Sequence, residues 1–326
     1  MKTLGTILKK FFKVVIYFTF LVTSCFCLLE VVYRYQLIDF YKAELEALNP
    51  NLNDDYPNGN VLVFGDSFSG FSIGYVEQLR KEYPNTNFIN CAISGTGIKQ
   101  HELFIEQRIK EFKPRKVLYQ FYVGNDLLDI TRDIKIEHTG FLKASYYFIS
   151  EHLLILKHLN YKLAGLKSKP KKAKGSIEFL TYNSRVKKQF IANPKYLDET
   201  INNKGSQAQK LNSWIKSFNQ LDFSSTKGVN ILVLPHCAQV NSKYSDKMKG
   251  LGAVLGNYIV QIEYPLIERM KGGLKGATIL NPLSYLQEKE KEQNLYFFND
   301  PHLNENGQAS LAQYLISKGI FDEDYN

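Results

Sequence analysis

The sequence predicts an α/β fold: one doubly wound domain, helices covering both faces of a five-stranded parallel sheet, behind a single N-terminal transmembrane helix. Three observations carry this. Short apolar runs alternate with amphipathic helical patterns from residue 60 onward, the rhythm of parallel strands joined by crossovers. The runs have no polar face, which suits a sheet covered on both sides. An uncharged stretch, Val14 to Leu29, follows lysines at positions 2, 9, 10 and 13.

Residues 1–33 read as a cytoplasmic tail and signal anchor. The sixteen uncharged residues fall short of the roughly 20 that span a bilayer. Phe11 and Phe12 extend the run on one side, and Val31, Val32 and Tyr33 on the other. Lys13 can snorkel, and Glu30 near an interface costs little beside a midplane charge. The lysines ahead of the span favour a cytoplasmic N-terminus, with the rest of the chain extracytoplasmic, periplasmic or at the cell surface. A cleaved signal peptide lacks an obvious small-x-small site. Val22-Thr23-Ser24-Cys25 resembles a lipoprotein signal, but the residues after Cys25 stay apolar to Leu29.

Residues 34–59 read as a stalk, with Ile38, Tyr41 and Leu45 on one face of a short helix and a linker at 49–55. The domain, 60–326, opens with a strand at Val61–Phe64 and a helix marked by Ile73, Val76 and Leu79. Further strands are expected at Asn87–Cys91, Lys116–Tyr122, Asn230–Leu234 and Ala277–Leu280. Helices are expected at 98–112, 207–221, around 253–271 and at 305–318. Residues 131–205 interrupt the rhythm and read as an insertion, with Lys167–Lys174 a mobile loop. The insertion holds fifteen Lys and Arg against six Asp and Glu, which accounts for the net charge of +9. A basic patch confined to one segment does not indicate a nucleic-acid partner. Cys25 and Cys27 lie in the span. Cys91 and Cys237 are isolated, without metal-ligand spacing; a disulfide between them is allowed outside the cytoplasm, and two small buried hydrophobes are the plainer reading. No metal or other cofactor is expected.

In a doubly wound sheet the active site lies beyond the carboxyl ends of the strands. There the sequence places Gly65-Asp66-Ser67 after the first strand, Ile93-Ser94-Gly95 after the second and Gly124-Asn125-Asp126 after the third. Asp300-Pro301-His302-Leu303-Asn304 follows the fifth. A serine needs a base within hydrogen-bond reach to act as a nucleophile, and His302 is the candidate. The N–H groups of Ser67 and Gly95 and the amide of Asn125 are candidate donors to an oxyanion. Singly, each tripeptide has a plainer reading: Ser67 as a helix N-cap, Asn125 and Asp126 as caps, His302 and Asn304 as the start of the last helix. Their joint convergence on one sheet edge has none. His236, after the fourth strand, is a possible cleft residue. The other histidines, 101, 138, 152 and 158, read as structural or solvated.

These four blocks resemble, in order, those of the SGNH (GDSL) hydrolases, over residues 60–130 and 207–318. The resemblance implies a three-layer, flavodoxin-like α/β/α fold. It also implies a serine-dependent ester hydrolase or O-acyltransferase working through an acyl-enzyme on Ser67. Many relatives place the orienting Asp three residues before the His; here that position is Asn299. Others have Asp-x-His, so Asp300 is the expected orienter. Anchored relatives often act on acetyl groups of cell-surface polysaccharides, which makes an acyl-ester, carbohydrate substrate the implied partner. A lysophospholipase-like lipid esterase and a non-catalytic carbohydrate-binding or assembly factor are the alternatives.

Overall fold

The computed structural model describes residues 2–52, 54–130, 140–167, 182–256, 263–297 and 300–322. They fall into two compact units: Met1–Phe40 with Gly140–Lys169, and Tyr41–Thr139 with Pro170–Asn326. The strands are β1 (Asn60–Phe64), β2 (Asn87–Asn90), β3 (Lys116–Tyr122), β4 (Gly228–Leu234) and β5 (Ala277–Leu280). The helices, in chain order, begin with α1 (Lys2–Arg34), α2 (Lys42–Leu48), α3 (Tyr75–Glu82), α4 (Ile98–Phe112) and α5 (Asp126–Ile130). Then come α6 (Phe141–His152), α7 (Leu154–Lys167), α8 (Tyr182–Ala192), α9 (Tyr196–Ile201) and α10 (Gly205–Phe218). The last are α11 (Cys237–Val240), α12 (Ser242–Gly250), α13 (Pro265–Gly273), α14 (Leu283–Glu292) and α15 (Glu305–Ser317).

In the larger unit the sheet order is β2-β1-β3-β4-β5, with every pair parallel. The chain leaves β1 in one direction to reach β2, then reverses to reach β3, β4 and β5. Right-handed crossovers therefore place α3 on one face and α4, α10 and α13 on the other. The helix contacts agree: α15 packs on α3 and α14 on α15, while α4 lies on β1, α13 lies on β5, and α10 touches both α4 and α13. The core forms where these layers meet the sheet. Val61, Leu62, Val63 and Phe64 are all fully buried. Trp214 of α10 stacks over Tyr119 and Phe121 of β3, with ring centroids 5.9 and 5.0 Å apart. The switch in winding direction falls between β1 and β3, where doubly wound sheets open a crevice at the strand ends.

Strand positions match the sequence expectation within two residues. Three other expectations are corrected. Residues 34–59 are not a free stalk from end to end. Tyr41 and Leu45 are buried, and Tyr41 meets Phe104 of α4 at 5.6 Å between ring centroids. Asn49 locks the segment down by exchanging hydrogen bonds with the backbone of Asn90, at 2.9 and 2.7 Å. Ile38 stays exposed. The helix expected around 253–271 begins only at Pro265, because proline suits the first helical position and breaks a helix further in. Residues 253–256 are extended or irregular, and 257–262 lie outside the described residues.

The insertion is the third correction. Its described parts are helical, and they divide between the units. Val186 and Phe190 of α8, and Tyr196, Leu197 and Ile201 of α9, are buried in the larger unit. Helices α6 and α7 pack in the smaller one, where α7 lies on α1. The expected mobile loop at Lys167–Lys174 falls, after Lys167, outside the described residues, as does His138. Cys91 and Cys237 are both free and buried, so the disulfide does not form.

In the smaller unit an ion pair ties α1 to α6 and α7. Glu30, buried in α1, accepts from the first two backbone N–H groups of α7, those of Leu154 and Ile155, at 3.0 and 2.8 Å. A carboxylate there satisfies orphan donors and complements the helix dipole. Arg34 donates to Glu30 at 2.6 Å and to the His152 carbonyl at the end of α6, also at 2.6 Å. The two buried bonds to the Glu30 carboxylate contribute about 1.5–3 kcal/mol each, and the exposed Arg34 contacts about 1 kcal/mol or less.

The packed position of Leu45, only 5% exposed, predicts that Leu45→Ala destabilises the larger unit by about 2–3 kcal/mol. Thermal unfolding measures this. An unchanged melting temperature would restore the free stalk.

Candidate active site

The loop that carries Ser67 is shaped by its neighbours. Asp66 Oδ1 accepts from the N–H of Phe68 at 3.0 Å, closing a tight turn around Ser67. Gln120 of β3 reaches under the turn: its Oε1 accepts from the Asp66 N–H at 3.2 Å and the Ser69 hydroxyl at 3.0 Å. Ser69 bonds the Tyr75 hydroxyl at 2.7 Å. Gln308 of α15 accepts from the Tyr75 N–H at 3.0 Å and donates to the Phe68 carbonyl at 3.2 Å. Gly65 is required by this closeness, since a Cβ there would lie 2.5 Å from Gln120 Oε1.

The histidine loop is closed by an antiparallel bridge between Tyr296 and Leu303 and by a bond from the Phe297 N–H to the His302 carbonyl at 3.1 Å. Asn304 then caps α15 by accepting from the Gly307 N–H at 3.0 Å. Within the loop Asp300 Oδ1 accepts from the His302 N–H at 2.9 Å and from His302 Nδ1. One oxygen thus fixes both the backbone and the ring, which explains why an Asp two residues before the His can orient it. Asn299 lies outside the described residues.

The two loops meet. Ser67 Oγ stands 2.7 Å from His302 Nε2. An ionised carboxylate only accepts, so Nδ1 carries the proton of the neutral ring and Nε2 offers its lone pair to the serine hydroxyl. Phe68 stacks on the imidazole at 4.6 Å between centroids and 25° between planes, and packs on Tyr122 at 4.2 Å. Asp300 is buried, while the His302 side chain keeps 29% exposure and Ser67 is half-buried. The pair is therefore set at a surface opening.

Gly95 and Asn125 sit on the loops after β2 and β3, the two strands flanking β1. The Ile93 N–H donates to the Gly65 carbonyl at 3.0 Å, continuing the pairing into the β2 loop. Gly95 has φ +79°, a conformation that favours glycine, and it is exposed. Neither Ser67 nor Gly95 uses its N–H in a backbone bond within the described residues. The loop beneath Gly95 is held by Thr96, whose hydroxyl meets His101 Nε2 at 3.0 Å, while His101 Nδ1 meets the Tyr119 hydroxyl at 3.1 Å. Burial pulls the His101 pKa down to about 3, so it stays neutral.

His236 is not in a cleft. It is buried, its Nδ1 accepts from the Ala238 N–H at 3.1 Å as the cap of α11, and burial lowers its pKa to about 3. It packs behind Tyr122, at 6.0 Å.

Electrostatics favour the imidazolium of His302 more than in a free histidine. Burial opposes the imidazolium, but the hydrogen bond and charge of Asp300, with the charge of Asp66, outweigh it and hold the pKa above the usual 6.5. Asp66 itself is raised by burial. Asp126 is raised further, by burial and then by the Asp66 charge. Two buried carboxyls in one site resist joint ionisation.

Sequence reasoning missed Phe68, Gln120, Tyr75 and Gln308. No motif spacing marks them; they act through contacts between distant elements.

Sheet order and the switch point define a doubly wound α/β fold, with the Ser67–His302–Asp300 line set beyond its strand ends. Solved structures similar to the chain include a catalytic mutant of Axe2, an acetylxylan esterase from Geobacillus stearothermophilus, at 12% identity over 83% of this chain and 97% of that one, with a TM-score of 0.42. TesA is 14% identical over 80% of this chain and 97% of its own, TM-score 0.40. The lipase/acylhydrolase from Enterococcus faecalis is 10% identical over 80% and 95%, TM-score 0.36. No protein-family model matches the chain, and no curated protein matches it.

The raised pKa makes a prediction independent of activity. The His302 ring, followed by NMR, titrates above 6.5, and Asp300→Asn lowers its pKa. Because the folded value is the higher one, the pair's stability is fully present below about pH 6.5 and is lost as pH rises through the raised pKa. An unchanged titration in Asp300→Asn would contradict the assignment.

Proposed function

We propose that the chain is a serine-dependent ester hydrolase or O-acyltransferase, held outside a membrane by α1. The observation that supports this most is the line Ser67 Oγ, His302 Nε2, His302 Nδ1, Asp300 Oδ1, continuous at hydrogen-bond distance. In the proposed reaction Ser67 attacks the ester carbonyl as His302 Nε2 takes its proton. Asp300 stabilises the imidazolium. The negative charge on the carbonyl oxygen is received by the N–H groups of Ser67 and Gly95 and the Asn125 amide. Collapse breaks the ester C–O bond, and the leaving alkoxide takes the proton from Nε2, leaving an acyl-enzyme. Water, or an acceptor hydroxyl, then attacks the acyl group by the same route. Hydrolysis and transfer share the first half-reaction and differ in what reaches the acyl-enzyme.

The membrane part of the proposal is supported by α1, of which Lys10–Arg34 is long and apolar enough to cross a bilayer. The lysines before the span favour a cytoplasmic N-terminus and an extracytoplasmic catalytic unit. An acetylated cell-surface polysaccharide as substrate follows from the resemblance to anchored SGNH hydrolases. The non-catalytic reading draws on the displaced Asp and on the long insertion; the bonds of Asp300 to His302 weigh against the first of these.

The purified full-length chain is expected to turn over p-nitrophenyl acetate, and Ser67→Ala to lose about 1,000-fold or more. Activity should rise with pH through the raised His302 pKa, because only the neutral ring can act as base. Equal rates in wild type and Ser67→Ala would refute the proposal. A preference for long-chain over acetyl esters would move the substrate to lipids.

A further inference from the structure

Helix α6 is inverted relative to a helix that faces water. Its exposed positions are Phe141 (75%), Leu142 (83%), Phe148 (62%), Ile149 and Tyr146, while its buried positions include the small residues Ala144 and Ser150. On α7, Leu159 and Leu163 are also exposed. A surface helix in water shows the opposite arrangement, and a contiguous apolar patch marks a contact surface.

Two features say what covers it. The first is continuity. Through Glu30 and Arg34 the hairpin is fastened to the C-terminal end of α1. That helix is itself exposed and apolar along Phe11, Val14, Ile16, Phe18, Phe20, Leu21 and Leu28. The second is charge. Residues 140–174 contain eight lysines and one acidic residue, Glu151. An apolar helix face within a lysine-rich stretch of sequence is the composition of helices that lie in a bilayer interface on anionic lipid.

We propose that α6 and α7 form an interfacial membrane element, laid on anionic lipid where α1 leaves the bilayer. Lipid acyl chains cover Phe141, Leu142, Phe148 and Ile149, and Lys157 and Lys162 of α7 meet the head groups. Glu30 and Arg34 lock hairpin and span together. The proposal rests on α1 being membrane-embedded, but not on the chemistry of Ser67.

The test uses the full-length chain in phosphatidylcholine vesicles with about a quarter phosphatidylglycerol, doped with a lipid carrying a photoactivatable group in its acyl tail. After illumination, labelled peptides are identified by mass spectrometry. Label is expected on α1 and on 141–149, at about ten times the level of peptides from the larger unit. Phe141→Ser combined with Phe148→Ser should reduce the α6 label to that background and leave the α1 label unchanged. Vesicles without phosphatidylglycerol should weaken the α6 label. Label on α1 without α6 would overturn the proposal while leaving the anchor intact. No label on either would overturn both. Cross-links from α6 to a second copy of the chain instead of lipid would also overturn it.

Discussion

Asp300 Oδ1 holds the backbone N–H and the ring Nδ1 of the same residue, His302. Remove that double hold and the imidazole is free to rotate, its tautomer is unset, and Ser67 has no partner aimed at it. The bond costs little conformational entropy because Asp300 and His302 share one short loop, closed at its base by the Tyr296–Leu303 bridge. It also acts electrostatically, overcoming the burial that alone would strip the imidazolium of its proton. Geometry and protonation of the site thus have a common origin in one carboxylate.

The sheet brings the two loops together. Parallel strands put all their carboxyl ends on one edge, and the reversal between β1 and β3 opens that edge where Ser67 emerges. From the opposite side, Gln120 in β3 and Gln308 in α15 grip the loop that carries Ser67. Their amides satisfy donors and acceptors that burial would otherwise leave costly.

Much of this is legible in the sequence, for a physical reason. Strands buried on both faces have to be apolar throughout, so Val61–Phe64 and Ile231–Leu234 announce themselves. Polar and glycine residues directly after an apolar strand break its pattern, so Ser67, Gly95 and Asn125 do too. What is not legible depends on contacts across the chain. Tyr41 and Leu45 read as a short amphipathic face without indicating that they pack in the larger unit, with Tyr41 against Phe104. Phe68 reads as an ordinary apolar residue, yet it stacks on His302. His236 follows a strand like the site residues, but its ring is consumed in capping α11. The insertion reads as one basic segment because charge dominates its composition, although its helices serve two units.

The central claim is that Ser67 is activated by His302. Reaction of the folded full-length chain with a fluorophosphonate probe, mapped by mass spectrometry, tests it most directly. The account predicts a single adduct on Ser67, formed faster as pH rises through the His302 pKa and lost in His302→Ala. A folded chain whose Ser67 stays unmodified, or is modified equally in His302→Ala, would contradict it.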